Sequence, residues 1–158
     1  MNKMVKVLIL LVLTILLTTT VMTGNTEPDN LQFNTLLFKG SATLHKSYAS
    51  LFLLVNEITL AESHGDVDFL TAQATVEKIK FTLLDSRDYF TRANEMNNSD
   101  VCRRRIGDIT DLLEEMDSLG NNLKQETIPS GKVFRALNAK YLECLRIDAF
   151  SDLHTLKQ

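Results

Sequence analysis

Residues 100–122 read DVCRRRIGDITDLLEEMDSLGNN. Apolar side chains recur at Cys102, Ile106, Ile109, Leu113, Met116 and Leu119, in steps of three and four, which is the period of one face of an α-helix. The preceding Asn97-Asn98-Ser99-Asp100 is a polar break that ends with a residue able to cap the helix. Gly120-Asn121-Asn122 reads as a C-terminal stop, with Leu123 leaving room for one further turn.

The same period extends in both directions. Upstream, Phe69, Ala72, Val76, Ile79, Leu83, Phe90 and Ala93 form one stripe over residues 67–96, and Asp66 is its expected N-cap. Before the break Ser63-His64-Gly65-Asp66, residues 31–62 carry Leu37, Leu44, Tyr48, Leu51, Val55 and Ile58, with Gly40-Ser41 weakening the start. Downstream of Pro129-Ser130-Gly131, a fourth segment presents Phe134, Leu137, Tyr141, Cys144 and Leu145. Only Pro28 and Pro129 interrupt the chain as prolines, and no alternation of period two persists. The reading is all-α: an up-and-down four-helix bundle with antiparallel helices.

The first 24 residues are laid out as a secretory signal. Lys3 and Lys6 supply the positive charge, Val7–Leu17 is an apolar run of eleven, and Thr18–Gly24 is small and polar. That run is shorter than the roughly 20 apolar residues a spanning helix needs. An uncleaved anchor requires extending it through the threonines to Met22. Cleavage after Thr23 or Gly24 leaves residues 25–158 as one exported domain, with no membrane attachment once the signal is gone. The signal holds two of the 17 Lys and Arg and none of the 20 Asp and Glu, so the remainder carries a net charge near −5. That charge argues against nucleic acid as a partner.

Both cysteines fall in the exported part. Behind a signal they favour a Cys102–Cys144 disulfide, with an intermolecular bridge or two thiols as the alternatives. The layout of the hairpin constrains this. With one helix ending at Leu119 and the next starting near Ser130, Cys102 lies 17 residues before the connection and Cys144 14 after it. The offset is then about 4.5 Å at 1.5 Å per residue. A helix running on to Thr127 would raise the mismatch to roughly ten residues and prevent the bridge. The disulfide therefore predicts an early stop at Gly120, and would stabilise the fold by about 4 kcal/mol in the chain-entropy model.

Residues for chemistry are sparse. His45, His64 and His154 lie on separate segments, and no Cys-x-x-Cys, His-x3-His or Glu-x-x-His spacing occurs. No Gly-x-Ser-x-Gly elbow or phosphate loop is present. Neither a metal nor a cofactor is expected, and no residue set supports an enzyme. Arg103-Arg104-Arg105 is the one basic cluster, and beside Asp108 and Asp111 it reads either as a solvated turn or as a binding patch. Asn97-Asn98-Ser99 is an N-glycosylation sequon, with Asn97 as the acceptor.

The span from Cys102 to Cys144, with Ile106, Ile109 and Leu113 four, seven and eleven positions after the first cysteine, resembles the second disulfide of the plant pectin methylesterase inhibitor and invertase inhibitor family. Phe134-Arg135-Ala136-Leu137-Asn138-Ala139 is similar to the stretch before that family's bridging cysteine, and residues 70–96 resemble its first bundle helix. Lys46–Phe52 corresponds to its upstream cysteine-bounded hairpin through Tyr48, with Thr43 and Phe52 standing where the two cysteines would be. Only fourteen residues follow Cys144, short of the family's last helix. The resemblance, over residues 43–150, implies a secreted extracellular protein of the apoplast or cell wall. It would inhibit pectin methylesterase, or less favourably acid invertase, by laying its surface over the enzyme's cleft. The family's Pro-Lys-Phe loop is represented by Pro129, Lys132 and Phe134, which are not contiguous. Candidate contact residues are Arg103, Arg104, Asp108, Pro129, Lys132 and Phe134. The alternatives are a secreted helical signalling or interaction protein and a family member that has lost inhibition.

Overall fold

The computed structural model describes residues 28–155; the expected signal, residues 1–24, lies outside the described residues. The chain divides into two units after Leu31, and residues 28–31 of the first form the opening turn of a helix. The described residues contain four helices and no strand: α1 Pro28–His64, α2 Phe69–Asn97, α3 Asp100–Lys124 and α4 Gly131–Thr155.

The helix ends follow local chemistry. Gly65 takes φ +71°, and the Gly65 and Asp66 amides close back on the carbonyls of Glu62 and Ala61, a Schellman stop for α1. The cap of α2 is Asp68 and not Asp66: its carboxylate accepts from the Thr71 amide (3.0 Å) and hydroxyl (2.7 Å). These bonds hold the Asp68 carboxyl below the usual aspartate range. Asn98 closes α2 in the left-handed region, and Ser99 caps α3 immediately afterwards. Two residues therefore reverse the chain between α2 and α3.

The early stop at Gly120 is not observed. α3 continues to Lys124 and closes through Glu126, at φ +54°, with the Thr127 amide bonded to the Asn122 carbonyl. Gly120 is buried in the helix interior, where a Cβ would stand 3.5 Å from Val76 Cγ1 of α2. That is ordinary van der Waals contact, so Gly120 is a small buried position inside α3 and not a stop.

Cross-helix contacts fix the pairing directions. Between α2 and α3, Gln73 Nε2 donates to the Leu123 carbonyl (3.0 Å), and Lys80 pairs with Asp117 (2.6 Å). The numbers rise on one helix as they fall on the other, so the pair is antiparallel. Between α3 and α4, Glu115 pairs with Lys140 and Arg105 with Cys144, again antiparallel. Ser86 Oγ of α2 donates to the Gly40 carbonyl of α1 (2.7 Å), and Leu54 and Ile58 share a pocket wall with Thr71 and Ala72. Tyr48 of α1 donates to Asn138 Oδ1 of α4 (2.9 Å) and packs on the Tyr141 ring at 5.6 Å between centroids. Each helix thus has neighbours on two sides, as a four-helix bundle requires, and α1 supplies the fourth member. α1 is one continuous helix through Gly40-Ser41, so residues 43–52 form no hairpin.

No disulfide joins Cys102 and Cys144; both are buried thiols. Counted from the helix ends, Cys102 lies 22 residues before Lys124 and Cys144 13 residues after Gly131, a larger mismatch than the early stop would have left. The longer α3 is the physical reason the expectation fails.

Candidate functional site

Arg105, in the middle of the basic triplet, is the most deeply buried charged residue of the described chain, at 0 % exposure. Helical geometry turns consecutive residues 100° apart, so three adjacent arginines cannot share one face. Arg103 turns outward and bonds Asp100 and the Asn98 side chain, tying down the start of α3. Arg104 is exposed. Arg105 enters the core, where Nη1 donates to the Cys144 main-chain carbonyl and lies 3.6 Å from its Sγ. Asp108 Oδ2, one turn on, is 3.9 Å from the same nitrogen.

Above this group the α3–α4 seam opens into a cleft lined by Asp108, Asp111, Leu112, Lys140, Glu143 and Cys144. Burial raises the Asp108 carboxyl above its ordinary range; Arg105 opposes this, while Asp111 and Glu143 add to it. The Lys140 ammonium is raised by its bond to Glu115. Tyr141 beneath is pushed up by burial, with the Ser47 hydroxyl opposing. Among the described residues no group of three or more His, Cys, Asp or Glu is placed to hold a metal ion. The guanidinium, aimed inward at a main-chain carbonyl, ties α3 to α4.

The six candidate contact residues do not come together. Arg103, Arg104 and Asp108 sit at the beginning of α3, whereas Pro129, Lys132 and Phe134 sit at the beginning of α4. In an antiparallel hairpin those are opposite ends, about 30 Å apart for some 20 residues. Pro129 and Phe134 are buried and leave Lys132 alone exposed, so no three-residue reading loop forms. Asn97, the last residue of α2, is exposed.

Two surface features are exposed and apolar. Phe81 (67 % exposed) and Leu70 (78 % exposed) project from α2, with the exposed charges Lys78, Asp85 and Asp88 around Phe81. On α1, Phe38, Phe52, Leu53 and Leu60 lie on the face opposite the core and are about half exposed or more. The cue was available: on α1 the apolar residues occupy more of the circumference than one buried face needs. Among the described residues no helix is long and apolar enough to cross a membrane. Family models, curated proteins and solved structures were all compared with this chain, and none matches.

Proposed function

We propose that this is a secreted helical protein that works by binding another protein through its surface, and that its target is a cell-wall carbohydrate enzyme, pectin methylesterase ahead of acid invertase. The observation that carries the binding role is Phe81. An aromatic ring two-thirds exposed on a helix face, rimmed by Lys78, Asp85 and Asp88, has the composition of an interface anchor inside a polar rim. Covering such a side chain is worth about 1.5–3 kcal/mol.

The choice of target rests on the sequence resemblance, and the all-helical architecture agrees with it. The Cys102–Cys144 bridge no longer contributes, so the weight falls on Tyr48, the α2 segment and the α3–α4 pattern. Export rests on residues 1–24.

The test is titration of the protein from a secreting host against pectin methylesterase and acid invertase across the acid pH range of the cell wall. Saturable inhibition of the first, lost in Phe81→Asp, is the expected result. Inhibition of neither enzyme would remove the target from the proposal.

A further inference from the structure

We propose that Asn97 carries an N-linked glycan, which stands over the end of the bundle where α2 turns into α3. Asn97 is the only asparagine in the chain with Ser or Thr two positions on, and the residue between, Asn98, is not proline. The inference rests on the reading of residues 1–24 as an export signal, because the sugar donor is met on the export route.

The fold leaves this one side chain available. Asn97 is the last residue of α2 and is exposed. The neighbour does the work of closing the helix: Asn98, at φ 43° and ψ 49°, takes the left-handed position, and its amide donates to the Asn94 carbonyl (2.7 Å). The Asn98 side chain is committed as well, accepting from Arg103. The Asn97 carboxamide takes part in none of these bonds. Glu95, Met96 and Asn98 around it are exposed, and the Asp100 side chain is 91 % exposed. A bulky hydrated group there displaces water and no packing.

Ser99, the third residue of the sequon, also caps α3 by accepting from the Cys102 amide (3.5 Å). The transfer itself is a substitution at the anomeric carbon of a lipid-diphosphate oligosaccharide. The Asn97 Nδ2–C1 bond forms, the sugar–phosphate bond breaks, the lipid diphosphate leaves with the electron pair, and the amide proton passes to a base of the transferase. Placement decides the consequence. Phe81 lies sixteen residues earlier on α2, about 24 Å along the helix and about 160° around it. The glycan therefore covers the end that bears Arg103 and Arg104 and leaves Phe81 clear.

The test is expression of the full chain in a eukaryotic secreting host, with intact mass read before and after peptide-N-glycosidase. One glycan per secreted chain is expected, and digestion in heavy-oxygen water should place the label at residue 97. Asn97→Gln and Ser99→Asp should each abolish the mass shift, whereas Ser99→Thr should keep it. Ser99→Asp retains a capping side chain, so unchanged helical circular dichroism separates loss of the sequon from loss of the fold. A second chain, with residues 1–24 replaced by the signal of an established secreted protein, separates the site from export. A glycan on that chain alone supports the site and removes the export reading. An unmodified Asn97 on that chain, or a glycan that survives Asn97→Gln, would overturn the proposal.

Discussion

Arg105 of α3 reaches through the core to the main-chain carbonyl of Cys144 on α4, with Asp108 Oδ2 3.9 Å from the same nitrogen. A buried charge is retained only where its hydrogen bonds are met, and removing it strands the groups it served. Arg105→Ala should therefore lower stability by about 2–4 kcal/mol. Arg105→Met, which refills the volume but strands the same carbonyl and carboxylate, should recover only the packing share of that loss. Urea unfolding of the two variants checks it; equal losses would mean that packing contributes little.

Because α3 runs past the early stop and leaves Cys102 and Cys144 unbridged, the fold does not depend on oxidation. The melting temperature should be the same with and without reductant. Two thiols should titrate in denaturant alone, and neither should react with a bulky alkylating reagent in the native state, since Cys102 is 0 % and Cys144 3 % exposed. A drop in melting temperature on reduction would show a disulfide and contradict this register.

Asp108 sets a pH dependence of definite sign. Burial raises its folded pKa above the ordinary 3.8, so over that interval the native state holds more protons than the unfolded state, and this site costs stability as pH rises. Asp68 acts oppositely: its lowered pKa adds stability above 3.8 that is lost as pH falls through the folded value. Asp108→Asn should remove the first slope, so that the unfolding free energy falls less with rising pH above 3.8 than it does in the parent protein. Denaturant titrations at successive pH values measure it.

Gly40 is where α1 meets the Phe90 ring of α2. A Cβ there would lie 2.9 Å from Phe90 Cε2, and the ring is only 2 % exposed. Alanine is the better helix former by about 1 kcal/mol, yet overpacking costs about 1–3 kcal/mol. Gly40→Ala should therefore destabilise on balance, and Gly40→Ala/Phe90→Leu should destabilise less than the separate changes sum to. A stabilised single variant would mean that the two helices separate without penalty.

The stripes of α2 and α4 were legible because their buried residues repeat cleanly; Phe69 and Leu145, at the edges, are only half-buried. Elsewhere local signals misled for identifiable reasons. Gly120 looks like a stop but lies buried inside α3, while the real stop at Glu126 places a non-glycine in the left-handed region, which no sequence rule anticipates. On α1 the buried face centres on Gly40, Leu44, Ser47, Leu51, Leu54 and Ile58, so Leu37, Tyr48 and Val55 fall at its margin. Two of those six are a glycine and a serine, invisible to a hydrophobic count. The sequence places Arg105 at the surface because charged residues are rarely buried without a partner. Its partners lie on the next turn and on another helix. Of the candidate contacts, Arg103 and Lys132 are exposed as read, whereas Pro129 and Phe134 were drawn inward by the start of α4.

The central claim is that this protein acts by covering an enzyme with its own surface, with Phe81 as the anchor. The most direct measurement is the inhibition constant against pectin methylesterase for the protein and for Phe81→Asp, at matched helical content. Saturable inhibition, weakened at least about 30-fold by the substitution, is the predicted result. Undiminished inhibition by Phe81→Asp, or none by the protein itself, would contradict it.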